Sequence, residues 1–254
     1  MREQTKRGNR PNFNFREFLK SQQSAGIILI ICTIVSLILA NSPISASYMH
    51  LWEIPVGIRV GSWSMEHHII EWVNDGLMAV FFFFVGLEIK REFVSGELSN
   101  LKVAILPVLV ALGGMLVPGL FYTLVNFNGG HLKGFGIPMA TDIAFALGVL
   151  SLLGDRIPSN LKIFLMALAV IDDLGAIVVI ALFYGGKLSM EYTLLCISTF
   201  AALMLLNRLK VKLFVPYLVL GLMLWYFMLH SGVHATIAGV LLALAIPFDV
   251  QYTS

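Results

Sequence analysis

The chain has 254 residues, 58% hydrophobic and 13% charged, with a formal net charge of +2 at pH 7 and a mean hydropathy of +0.85. A soluble domain carries about one quarter charged residues, so an ordinary soluble enzyme is excluded; the small charge, spread over short loops, also excludes a nucleic-acid binder. Long continuous apolar runs exclude a transmembrane barrel and leave an all-α polytopic membrane protein, read as one membrane domain over 1–254.

In chain order, residues 1–21 form a polar tail with Arg2, Lys6, Arg7, Arg10, Arg16 and Lys20. The transmembrane region is read as 22–248. Its first run, Gln22–Ala40, follows too long a leader for a signal peptide and reads as the first span. Residues 41–68 are amphipathic and broken by Pro55, Gly57 and Gly61. Within them Leu51–Trp63 sets β-branched residues either side of a Pro-Val-Gly turn, which predicts a short β-hairpin outside the membrane. Its exposed edge is a surface for self-association.

The second span is expected near Ile69–Leu87, entered through Glu71, Asn74 and Asp75 and left through Glu88, Lys90, Arg91 and Glu92. The third, Val103–Phe127, should bend at Gly113-Gly114 and Pro118. The fourth, Gly134–Leu153, carries Pro138, Thr141 and Asp142; the fifth is Leu161–Phe183, and the sixth Tyr192–Leu206. The seventh and eighth, Leu213–Leu229 and Ser231–Phe248, are at the short limit for spanning. Cys32 and Cys196 lie within apolar runs and read as buried thiols.

About eight transmembrane helices put both termini on one side. That side then collects 14 of the 17 basic residues, leaving Arg59, Lys133 and Lys187 opposite. The bias makes the side with the termini cytoplasmic.

The fifth span holds the feature that needs explaining. Asp172 and Asp173 stand 11 and 12 residues after Leu161 in a 23-residue run, about 35 Å long as a helix. A central Asp costs roughly 3 kcal/mol on insertion scales, while apolar residues return roughly 0.3–0.6 each. Such a pair needs shelter from other helices, and it marks a functional site. In the fourth span Pro138 disfavours helical geometry four residues before Asp142. A break there frees backbone groups beside Thr141, and irregular backbone survives at membrane depth only where it lines a protected cavity. Ala169 and Ala176 leave room beside the acid pair.

Three carboxylates, a hydroxyl and freed carbonyls make an all-oxygen environment suited to a hard cation. Desolvation and mutual repulsion both disfavour two bare charges side by side. The site can therefore carry protons or a small cation, and exchange follows if only the loaded states switch access. Glu88 with Lys90, Arg91 and Glu92 reads as a solvated membrane-edge cluster or a cation funnel. His234, in Ser231-Gly-Val-His-Ala-Thr236, reads as a satisfied interface histidine or a pH-responsive one. There is no zinc spacing, nucleophile triad or phosphate loop, so neither an enzyme nor a cofactor is expected.

The stretch Ala140-Thr-Asp-Ile-Ala-Phe-Ala-Leu-Gly-Val-Leu-Ser-Leu-Leu-Gly154, with Leu161–Ala176, closely resembles the bacterial NhaA family of Na+/H+ antiporters. Val73–Phe82, Val85–Glu92 and Ser231–Gly239 resemble it too. The resemblance implies an inverted-repeat helical bundle with an interrupted fourth span. It implies Asp173 as the principal Na+-binding carboxylate and Asp172 as its partner in exchange. Thr141 and Asp142 fall on the interrupted helix, and Glu88 on the cytoplasmic funnel. His234 matches a histidine linked to pH response, and the hairpin a periplasmic dimer contact.

Family members have twelve spans, whereas this chain stops after the eighth and lacks the second interrupted helix and the lysine facing the acid pair. The expectation is a secondary active transporter of the bacterial inner membrane, read from a truncated chain. It would extrude Na+ or Li+ against protons for Na+ and pH homeostasis, as a homodimer in the lipid bilayer. A non-transporting fragment or scaffold and a cation channel stand as alternatives.

Overall fold

A computed structural model describes residues 22–61, 63–95, 101–139, 141, 145–146 and 158–247. The N-terminal tail and Asp142 lie outside the described residues.

Helix α1, Gln22–Ala40, occupies the first apolar run. It stops where polar side chains take its last carbonyls: Asn41 Nδ2 donates to Leu37 O at 2.8 Å and Ser42 Oγ to Leu39 O at 2.9 Å. The chain then turns through 118° into α2, Ser45–Trp52. Tyr48 and Ser36 hold the two helices together through a 2.7 Å hydroxyl–hydroxyl hydrogen bond.

The hairpin lies a few residues later than expected. Strands β1, Pro55–Val60, and β2, Trp63–His68, pair antiparallel from Pro55↔His68 to Val60↔Trp63. Leu51 and Trp52 belong to α2, and the chain turns at Gly61, which adopts φ +61°. The sequence reading took Pro55 for the turn, but a proline is tolerated as a strand's first residue. Gly57 serves close pairing instead, since a Cβ there would run into the Met65 carbonyl across the ladder.

The second run enters through a helical turn, Ile69–Glu71, and a π-helical turn, Trp72–Leu77, before α3, Met78–Ser95. Trp72 Nε1 donates to Val56 O at 2.8 Å and ties the hairpin to this entry. Helix α4, Leu101–Asn126, runs on through Pro107, Gly113-Gly114 and Pro118 as one helix. A 3₁₀ segment follows, Leu132–Met139, and Thr141 is not helical. Helices α5, Ser159–Phe183, α6, Met190–Arg208, and α7, Phe214–Ser231, match the fifth to seventh runs closely.

The eighth run departs from expectation. Its helix, α8, covers only Ile237–Ala245, about 13 Å at 1.5 Å per residue. Gly232, at φ +85°, ends α7 in the left-handed conformation that commonly closes helices. The turn that follows leans on an extended segment after α5: Gly186 N donates to Gly232 O at 2.7 Å and Ser189 N to Ser231 O at 2.9 Å. Backbone satisfied in this way need not be helical, so the apolar run yields a half-length helix.

Helices α3 and α8 lie side by side. A Cβ on Gly239 would meet the Ala79 carbonyl, and one on Gly86 would come within 2.8 Å of the Ala243 side chain. Small residues let the backbones approach this closely. One core joins Phe82, Val85 and Ile89 of α3 to Ala167, Val170 and Ile177 of α5 and Val240 of α8. A second joins Leu203 of α6, Tyr217 and Leu224 of α7, and Ala238 and Leu242 of α8.

The outside is apolar: Leu37, Phe84, Leu109, Phe121, Leu182 and Leu222 are all exposed. Exposure on this scale belongs to lipid rather than water. Among the described residues, the helices at Ile69–Val94, Ala104–Asn126, Met190–Arg208 and Phe214–Ser231 are long and apolar enough to cross a membrane, and α1 with α2 forms a further bent pair. Cys32 is exposed on α1, contrary to its reading as buried, and Cys196 is buried; neither is in a disulfide.

Candidate functional site

Asp172 and Asp173 lie past the middle of α5, among Val170, Ile171 and Leu174, which pack into the core. They are 6% and 8% exposed, so the pair is sheltered as its cost in an apolar helix demands. Thr141 Oγ1 donates to Asp172 Oδ2 at 2.9 Å. The hydroxyl belongs to Thr141, two residues past the end of the 3₁₀ segment. Asp172 Oδ1 is buried and has no hydrogen-bond partner among the described residues. A buried carboxylate oxygen in that state is an open acceptor for a proton or a cation. Among the described residues no three His, Cys, Asp or Glu side chains cluster as metal ligands. The candidate donors are thus the two α5 carboxylates and the Thr141 hydroxyl.

A cavity of about 510 Å³ opens beside this face of α5. Ala176, Val179 and Ile180 form its α5 wall. Ala176 follows Asp172 by four residues, so it stands on the same face one helical turn away. Gly136, Ile137 and Met139 of the 3₁₀ segment form the opposite wall, and Met78, Phe82 and Met115 add apolar lining. The polar lining comes from Asn74, Asp75, Tyr184, His234 and Thr236. Ala176 lines this cavity, whereas Asp172 and Asp173 do not, and Ala169 is packed and buried.

His234 stands in the turn before α8, half-buried, with Nε2 2.8 Å from Tyr184 O. A carbonyl only accepts, so Nε2 carries the proton of that bond. Glu88 shares no hydrogen bond or ion pair with the carboxylate pair among the described residues. It pairs with Arg91, whose guanidinium also reaches Glu92 at 3.3 Å; all three keep some exposure at the far end of α3.

Two residues do more than their sequence context suggested. Lys90, read as a member of that edge cluster, reaches the end of α8: its Nζ donates to Leu244 O at 2.7 Å and also to Ile246 O. Asn207 of α6 adds a 2.5 Å bond to Ala245 O. A helix end leaves four carbonyls unsatisfied, and here a lysine and an asparagine supply the donors. Tyr184 donates its hydroxyl to Lys133 O at 2.5 Å and accepts from the Gly136 amide at 3.0 Å. The signal for Lys90 lies 153 residues away along the chain. For Tyr184 the signal would have been an aromatic hydroxyl at the membrane edge of an acid-bearing helix.

A family model described as Na+/H+ antiporter 1 matches residues 16–254. The Na+/H+ antiporter NhaA of Flavobacterium psychrophilum is 54% identical over 234 residues, covering 92% of this chain and 59% of its own length. That of Oleidesulfovibrio alaskensis is 54% identical, with 92% and 52% covered. That of Pelagibacter ubique is 50% identical, with 93% and 61% covered. The chain thus spans a little over half the length of the curated relatives it matches. A match running through the acid pair, the 3₁₀ segment and the His234 turn, on helices with lipid-facing surfaces, means that the chain belongs to the Na+/H+ antiporter 1 family.

Proposed function

We propose that this chain exchanges Na+, and Li+ as a close substitute, for protons at Asp172 and Asp173, acting as a secondary transporter. The observation that carries the reading is the buried pair on α5, with Thr141 bonded to Asp172 and a cavity one turn away. A carboxylate pair in a low-dielectric site holds either protons or a small hard cation, because two bare charges repel and are poorly solvated. Loading with one then displaces the other. If the bare site does not switch access, the two fluxes are coupled.

Direction follows from membrane electrostatics. With more than one proton per Na+, each cycle carries net charge inward. Each such charge gains about 2.3 kcal/mol per 100 mV of inside-negative potential, which drives Na+ out of the cell. In this reading Asp173 is the principal Na+ ligand and Asp172 its partner in proton exchange. Asp142, next to Thr141 in sequence, compensates the helix ends of the interrupted span, with Glu88 at the cytoplasmic approach and His234 in the pH response. The bias of basic residues supports a cytoplasmic position for Lys90 and an outward one for the hairpin. An unpaired strand edge there would serve a homodimer.

The test is Na+-dependent proton release from proteoliposomes holding the 254-residue chain, wild type beside Asp173→Asn. Loss of release in the variant supports the reading, and retained exchange rejects it. A wild-type chain that binds neither Na+ nor Li+ in calorimetry at any pH favours a non-transporting scaffold.

A further inference from the structure

We infer that Tyr184 is a positioning residue for the carboxylate site, clipping the 3₁₀ segment Leu132–Met139 onto the end of α5 so that Thr141 meets Asp172. The inference rests on the cation-exchange reading and adds a residue to it. A 3₁₀ run of eight residues is long for that geometry, whose hydrogen bonds are poor. This one also contains Gly134, Gly136 and Pro138. It needs ties from outside.

Tyr122 of α4 donates to His131 O at 3.0 Å just before the segment, and Tyr184 supplies the ties to α5. Its hydroxyl donates to Lys133 O and accepts from the Gly136 amide, so it grips the segment at two points. Its ring stacks on Phe135 with centroids 6.0 Å apart and planes 29° apart, and Phe135 meets Phe183 edge-on at 5.2 Å. Gly136 is shaped for this grip: a Cβ there would lie 2.6 Å from the phenolic oxygen and about 3 Å from the ring. The tyrosine itself is fixed from behind. Its amide bonds Ile180 O at 3.2 Å, and its carbonyl takes the His234 Nε2–H bond at 2.8 Å. One residue therefore joins α5, the turn before α8 and the segment that leads to Thr141. Only five positions separate Gly136 from Thr141, so a shift at the clip passes to the hydroxyl on Asp172.

The experiment compares wild type, Tyr184→Phe, Gly136→Ala and Thr141→Val in the 254-residue chain. The phenylalanine keeps the ring stacking and removes the grip; the alanine displaces the phenol. Both should raise amide hydrogen exchange across 132–139 by at least about tenfold, as expected for loss of the two hydrogen bonds of the hydroxyl, and leave the α5 peptide 167–180 unchanged. Both should raise half-saturating Na+ for proton release about fivefold while the maximal rate stays within about twofold. Thr141→Val should raise half-saturating Na+ without the exchange change. Unchanged exchange across 132–139 in Tyr184→Phe overturns the clip. Faster exchange with unchanged half-saturation overturns the positioning role. A wild-type chain that neither binds nor exchanges Na+ overturns the transport reading and, with it, any positioning role; the exchange data then report the clip alone.

Discussion

The Thr141 hydroxyl and Asp172 meet at 2.9 Å across a gap of 31 residues, and this bond joins the fourth run to the acid-bearing helix. It is the one hydrogen bond that the described residues give the Asp172 carboxylate. A hydrogen bond to a charged group contributes roughly 1.5–3 kcal/mol. Thr141→Val keeps the shape and removes the donor, so the charged carboxylate is less well held. Half-saturating Na+ should rise by about tenfold at fixed pH, each 1.4 kcal/mol being one factor of ten. Thr141→Ser should stay within about twofold of wild type. Proteoliposome titrations check both, and equal half-saturation in valine and wild type would remove the bond from the mechanism.

Lys90 yields a prediction about stability. Its ammonium serves the end carbonyls of α8, where the helix dipole is negative. Lys90→Met keeps the aliphatic stem and strips the donors. Leaving these part-buried carbonyls without donors costs about 1–3 kcal/mol, which converts to a fall of roughly 2–12 °C in thermal midpoint for a chain of this size. Glu88→Gln, on the same helix, should move the midpoint by about 1–2 °C, because exposed ion pairs contribute little. Thermal unfolding in detergent measures both; equal midpoints for wild type and Lys90→Met would show that the cap is dispensable.

How far the sequence could be read depends on which interactions were local. Apolar runs with polar ends announced α1, α5, α6 and α7, because insertion depends on summed side-chain transfer and little else. The acid pair was legible for the same reason, as the costliest residues in the costliest place. The turn at Val233–Thr236 was not. Ser231–Phe248 is as apolar as a span, and what breaks it is pairing with Gly186 and Ser189, some 45 residues earlier. The hairpin was misplaced because Pro55 signals a turn and a strand start equally well. The Lys90 cap and the Tyr184 grip are contacts between segments far apart in sequence, so their partners could not be read from the local pattern around either residue. Asp142 lies outside the described residues, so its role rests on the family resemblance.

The glycines of the bundle offer a test in which one substitution acts with opposite signs. At Gly239 a Cβ would run into the Ala79 carbonyl and come within 2.8 Å of the Phe83 amide nitrogen. Those are backbone atoms of a neighbouring helix, which cannot rotate away, so α3 and α8 must separate along their whole contact. Overpacking of this kind costs about 1–3 kcal/mol, and the separation also draws Lys90 off the α8 carbonyls. At Gly113, in the middle of α4, a Cβ would meet nothing within 4 Å. The helix there is unbroken, so alanine only restricts the unfolded chain and adds about 0.5–1 kcal/mol of stability. Gly239→Ala should therefore lower the thermal midpoint in detergent by roughly 2–12 °C, and Gly113→Ala should raise it by roughly 1–4 °C. A fall at both positions would mean that Gly113 sits against a neighbour or serves as a hinge. No change at Gly239 would mean that α3 and α8 do not pack in backbone contact.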